Sequence, residues 1–353
     1  LKFNKKFIKF SIKSTLVLLL FWLFAYLNNQ YTLDKITIIF DVICLLLLLS
    51  GYLITQYPLF FTQINNNVIL FLCFLSFIGA FFFIQNQTLM SLDTGGGGRI
   101  GGGEVDDGIN AVGLAYVNAN LFFILFFIIN QKYVKKVVKY ILFLAILACL
   151  IIVVSSGSRG ALIFTAFIVT LKYFSEIKSV LSVFSLFSKS ILILIVVVSF
   201  YFFVSDYFPV LEQKVNATSK RFESMFAVVQ TGSGDESVLE REKMYDSFYD
   251  NLDDFIILGK SEYKPYPHNI FMEVITRWGA ILGIPFIFFL IKGLFESFKM
   301  LFDKKKNHPF YSLFIYCLFY CFLQSLSSLS LEMNRILWLS LGGIYGILLN
   351  KKK

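Results

Sequence analysis

Residues 265–283 read Pro265-Tyr-Pro-His-Asn-Ile-Phe-Met-Glu-Val-Ile-Thr-Arg-Trp-Gly-Ala-Ile-Leu-Gly283: a polar approach that turns directly into an apolar helical run reaching residue 292. A short amide at Asn269, just ahead of that run, predicts an N-cap, since its side-chain oxygen satisfies a free N–H of the first turn. His268, one of two histidines in the chain, is thereby expected at the membrane surface immediately before the helix. Glu273 and Arg277 stand four apart on one helix face, about one to two turns below that surface at roughly 1.5 Å per residue. Ionisable groups at such depth are costly unless paired or facing water, so they mark a candidate site. The spacing leaves two roles open for Glu273: orienting the imidazole, or pairing with Arg277.

The rest of the chain has the same character. Apolar residues make up 57% of it, aromatics 18%, and the mean hydropathy is +0.72. With about 18 apolar residues needed for a crossing, the candidate spans lie near 10–27, 36–55, 68–84, 111–129, 137–154, 160–174, 187–204, 270–292, 309–326 and 335–350. The fold expected is an all-α polytopic membrane protein of about ten transmembrane helices, with one large extracytoplasmic loop holding short helices. Residues 1–84 carry spans one to three, 85–110 a Gly-rich extracytoplasmic loop, 111–204 spans four to seven, 205–269 the large loop, and 270–353 the last three spans. The first span is expected to remain as an anchor rather than be cleaved.

Net charge is +9, but the lysines cluster at helix ends rather than forming a nucleic-acid-binding face. Lys2 to Lys13, Lys132 to Lys139, Lys172 to Lys189, Lys292 to Lys306 and Lys351 to Lys353 all fall on one side of a ten-span chain. By the positive-inside rule that side is cytoplasmic, as are both termini. The arginines segregate oppositely: Arg99, Arg159, Arg221, Arg241, Arg277 and Arg335 fall in extracytoplasmic loops or outer helix ends. A planar guanidinium suits bidentate binding of phosphate or carboxylate better than an ammonium does.

Several segments have plain readings. The five cysteines, Cys44, Cys73, Cys149, Cys317 and Cys321, sit in apolar runs, so neither a disulfide framework nor a cysteine metal site is expected. The Gly-rich Gly95–Glu104 lacks the Lys-Ser/Thr and preceding strand of a nucleotide loop and reads as a linker. The loop 205–269 holds twelve acidic and seven basic residues, and its length suggests a functional loop. Within it, 240–258 has Met244, Phe248, Leu252 and Phe255 on one helical stripe, predicting a surface helix lying on the bilayer. Ser155-Ser-Gly-Ser-Arg-Gly-Ala161 is not a hydrolase elbow, but a helix opening there would aim backbone N–H groups and Arg159 outward, toward an anion. Asp41, in an apolar run, is either a functional carboxylate or a structural hydrogen-bonding partner of a neighbouring helix.

Taken in order, the Ser-Gly-Ser-Arg-Gly element, Arg241 ahead of Ile257-Leu-Gly259, Pro267-His-Asn-Ile270 and Trp278-Gly-Ala-Ile-Leu-Gly283, with Asn118-Ala-Asn120 at span four, resemble the O-antigen polymerase and O-antigen ligase superfamily of bacterial surface polysaccharide assembly. The resemblance covers about residues 95–295. It implies a GT-C-like helical fold and a metal-independent, inverting glycosyltransferase with no cofactor. Its implied partners are an undecaprenyl-diphosphate-linked oligosaccharide donor, a chain-length regulator and a flippase, at the outer face of the bacterial cytoplasmic membrane. It maps the family's loop histidine onto His268, its serine–arginine element onto Arg159 and its loop arginine onto Arg241 or Arg221, with Arg241 favoured.

The chemistry agrees. Fixed cations stabilise a departing diphosphate, and Arg159 and Arg241 are the catalytic candidates, with Arg221, Arg277, Glu273, Asn269 and Arg99 expected to hold diphosphate or glycan. His268, titrating near neutrality, is the expected base for the acceptor hydroxyl. Polymerase is favoured over ligase. A transporter is the rival class, but no internal repeat is visible to support one.

Overall fold

The computed structural model describes residues 5–27, 35–56, 66–94, 111–156, 158–177, 236–259, 268–302, 309–327, 331 and 334–351, together with isolated residues 188, 216, 219, 220 and 223. The span expected at 187–204, the Gly-rich segment 95–110, Arg99 and Arg221 lie outside the described residues.

Every regular element among the described residues is an α-helix: α1 (Lys5–Leu27), α2 (Lys35–Ile54), α3 (Asn66–Thr94), α4 (Ala111–Ile129), α5 (Lys136–Ser155), α6 (Arg159–Glu176), α7 (Glu236–Asp250), α8 (Leu252–Phe255), α9 (Ile270–Phe302), α10 (Pro309–Ser325) and α11 (Arg335–Lys351). Most of these coincide with an apolar run, because such runs hold few polar side chains to compete for the backbone hydrogen bonds. Among the described residues two helices, α5 and α9, are long and apolar enough to cross a membrane, against the ten spans read from the whole sequence; apolar stretches of 10–17 residues fall in α2, α3, α4, α10 and α11. α3 runs ten residues past the span expected at 68–84, so the first part of the expected loop at 85–110 is helical.

The chain forms two units, Leu1–Gln63 with Glu236–Lys353, and Ile64–Asp235. In the second, α5 packs against α3, α4 and α6, with Ala80, Ala148 and Ile152 buried at one contact and Leu114 beside it. Asn118 and Asn120 lie inside α4, where their amide groups donate back to the Leu114 and Tyr116 carbonyls at 2.9 and 3.0 Å.

In the first unit α2 and α11 make the closest helix pair. A Cβ at Gly342 would meet the carbonyl oxygen of Leu48, one at Gly51 that of Leu339, and one at Gly346 the hydroxyl of Thr55. Small residues four apart let backbones approach in this way. α1 lies alongside, Phe10 stacking on buried Tyr52 at 4.7 Å. At its start Lys6 donates from Nζ to the Leu349 carbonyl at 2.6 Å, so the beginning of α1 and the end of α11 are neighbours.

The expected surface helix over 240–258 is instead two helices, α7 and α8, meeting at Asn251. Its apolar stripe does not face outward. Phe248 and Phe255 are buried, their rings 5.1 Å apart, because burying both against one another removes more apolar surface from water than either face alone would.

Candidate functional site

α9 carries the site and is itself broken. Gly279 takes φ 62° and ψ −172° in the middle of it, a conformation that favours glycine. The break frees the N–H groups that open the second half of the helix, and the turn after α8 satisfies them. Ala280 N–H donates to the Ile256 carbonyl at 2.7 Å, and Ile281 N–H points to that of Ile257 at 3.5 Å. Gly259, at φ 80°, allows the approach, since a Cβ there would collide with the backbone of Arg277 and Trp278. The two stretches with the motif Ile-Leu-Gly, at 257–259 and 281–283, thus flank one junction between the large loop and the helix.

Above the break, Asn269 is the cap expected of it: Oδ1 accepts from Phe271 N–H at 3.0 Å, and its own carbonyl accepts from Glu273 N–H at 2.8 Å. Replacing Asn269 with Ala is expected to cost about 1 kcal/mol, and Asn269→Ser much less; a thermal-unfolding series of the detergent-purified protein reads the difference. His268, immediately before the cap and half-buried, has φ 49°. A non-glycine residue in the left-handed region is uncommon and concentrates at functional sites.

Glu273 is buried, and its carboxylate is fully engaged. Oε1 lies 2.9 Å from Arg277 Nη2, and the Leu331 N–H donates to Oε2 at 3.1 Å and Oε1 at 3.3 Å. Of its two open roles, pairing with Arg277 is the one the geometry displays. The Leu331 carbonyl in turn accepts from Trp338 Nε1 at 2.8 Å, so one residue ties α9 to α11 through both its backbone groups. Nothing in the sequence announced Leu331, because a backbone contact leaves no side-chain signature. Asp41 also has its hydrogen-bonding partner: Trp22 Nε1 of α1 donates to Oδ2 at 2.9 Å.

The remaining candidates lie on other helices. Arg241 is on α7, half-buried, and has neither ion pair nor hydrogen bond among the described residues. Arg159 opens α6 in the other unit, behind Ser158, whose Oγ accepts from Ala161 N–H at 3.5 Å, while Ser156 Oγ accepts from Ser158 N–H at 3.2 Å. The Ser-Gly-Ser-Arg-Gly element therefore does start a helix, as read from the sequence. Among the described residues no group of three or more histidine, cysteine, aspartate or glutamate side chains gathers as a metal site would require.

Compared with protein-family models, with curated proteins and with solved structures, the chain matches none.

Proposed function

We propose that this chain is a polytopic membrane glycosyltransferase of about ten spans, GT-C-like in fold, which polymerises a surface polysaccharide of O-antigen or capsule type. It transfers the growing glycan from undecaprenyl diphosphate to the next lipid-linked repeat unit at the outer face of the bacterial cytoplasmic membrane. The observation that carries the reading is His268: a histidine held in a left-handed conformation, one residue ahead of the capped mouth of a broken, apolar helix. The contact of Lys6 with Leu349 supports termini on one side of the membrane, as an even number of spans requires.

His268 takes the proton from the acceptor hydroxyl as that oxygen attacks the anomeric carbon. The bond to the diphosphate breaks with inversion, and guanidinium groups stabilise the charge that leaves. Arg159 and Arg241 are the residues for this, with Arg221 and Arg99 as further contacts. Arg277, whose charge Glu273 already matches, holds the upper half of α9 in place beneath His268.

The test is the glycan profile of a deletion strain complemented with wild type or with His268→Ala. Wild type gives a ladder and the variant single repeat units only, an expected loss of at least 100-fold in transfer. Repeat units accumulating on the lipid carrier and absent from the surface would favour a ligase, which passes glycan to lipid A core. An unchanged ladder at normal protein level would remove His268 from the mechanism.

A further inference from the structure

The turn that mends α9 has side chains of its own to place. Phe248 and Phe255 are buried against each other, whereas the three residues that follow, Ile256, Ile257 and Leu258, are all exposed, Ile257 at 63%. Three consecutive exposed apolar residues are a cost in water and mark a binding surface. Beside them on α9 is Ile281, 52% exposed, whose N–H points to the Ile257 carbonyl. From Ile281 an exposed apolar stripe runs down α9 through Ile284, Phe288, Ile291 and Phe295 at helical spacing. The turn therefore continues the surface that a membrane-spanning α9 offers to lipid.

Two observations set its depth. Trp278, just before the break, meets Phe21 of α1 with ring centroids 4.6 Å apart, and α1 continues past Phe21 to Leu27, about 9 Å at 1.5 Å per residue. The break and the turn bonded to it thus lie below the outer end of α1. The second observation is the backbone, since an irregular segment tolerates hydrocarbon only where its polar groups find partners within the protein. Ile256 N–H donates to the Leu252 carbonyl at 2.9 Å and Gly259 N–H to that of Phe255 at 2.8 Å, while the Ile256 and Ile257 carbonyls receive the N–H groups freed in α9. We propose that Ile256-Ile257-Leu258 is a membrane-inserting tip, which takes the acyl region of the outer leaflet as its partner and pins the large loop to the bilayer. Asp253 and Asp254, exposed about one turn earlier, mark where the polar arm leaves the lipid. Through the contact of Phe255 with Phe248, the tip also holds α7, which carries Arg241, at the membrane face. The inference rests on the membrane placement proposed above and not on the transferase chemistry.

The full chain is reconstituted into vesicles of phosphatidylethanolamine and phosphatidylglycerol with a nitroxide on Ile257→Cys, Leu258→Cys, Phe288→Cys or Asp246→Cys. The native cysteines are buried, so wild type taken through the same labelling gives the blank. Power-saturation electron paramagnetic resonance compares collisions of each nitroxide with oxygen, which concentrates in hydrocarbon, and with a nickel chelate, which stays in water. Oxygen is expected to dominate at 257 and 258 as it does at 288, at a depth of about 5–10 Å into the head-group and acyl boundary. At position 246, exposed on α7, the order is expected to reverse. Nickel access at 257 and 258 beside an oxygen-dominated 288 overturns the tip and leaves the membrane placement standing. Shielding from both reagents at 257 and 258 also overturns it, because protein then covers the turn; dipolar broadening between labels on two chains would identify that protein as a second copy. Nickel access at 288 removes the membrane placement itself, and the tip with it. Labels at two neighbouring positions keep the result readable if one variant fails to fold.

Discussion

Replacing Glu273 with Ala is expected to destabilise the protein by about 3 kcal/mol and to abolish the glycan ladder. The carboxylate is 2% exposed and is held by Arg277 and by the Leu331 N–H, which reaches both its oxygens. Removing one partner of a buried pair costs about 3–5 kcal/mol, chiefly because the other charge is stranded. Arg277 remains 23% accessible to water, which places the cost at the lower end. The orphaned Leu331 N–H adds a further loss and frees the turn before α11, where Trp338 is anchored. Glu273→Gln keeps an acceptor for Leu331 and is expected to cost about half as much. Adding Arg277→Met to Glu273→Gln is expected to restore part of the loss, since no buried charge is then stranded. Thermal unfolding of the detergent-purified variants reads the cycle; additive single and double values would show that the two side chains do not act as a pair.

Substituting Gly342 is expected to have a comparable effect through packing alone. Its missing Cβ leaves the room in which the Leu48 carbonyl lies, and the obstacle is backbone rather than a side chain that could swing away. Forcing extra volume into such a contact costs about 1–3 kcal/mol when side chains can yield; with helix backbones pressed together, Gly342→Val is expected at about 3 kcal/mol or more. α2 and α11 would separate, and Gly51 and Gly346 would lose their close partners on the facing helices. A Gly342→Val protein with unchanged thermal stability would mean the two helices are not held at this distance.

Helix positions were legible in the chain because their causes are local. Apolar runs, an amide one residue before such a run, and a Ser-Gly-Ser-Arg-Gly turn each act within one or two helical turns, and α2, α4, α5, α10 and α11 begin and end within one or two residues of the runs read from the sequence. Asn269 capped its helix for the same reason. The stripe of 240–258 marked helix, and helix is there, but a helical stripe records that a face is buried and not what buries it; here Phe248 meets Phe255 across a break at Asn251.

What no local signal carries is which distant groups satisfy one another. Glu273 reaches Leu331, 58 residues away in the chain, and the N–H groups freed at Gly279 are met by carbonyls from the turn after α8. Those pairings follow from the rule that a polar group removed from water must find a partner wherever the fold supplies one. Sequence alone was enough for an all-helical chain with a capped, ionisable helix entrance at 268–277. Packing settled that the carboxylate there belongs to Arg277, that the helix breaks where the loop can mend it, and that three tryptophans scattered over 317 residues of chain converge on one cavity beside Asp41.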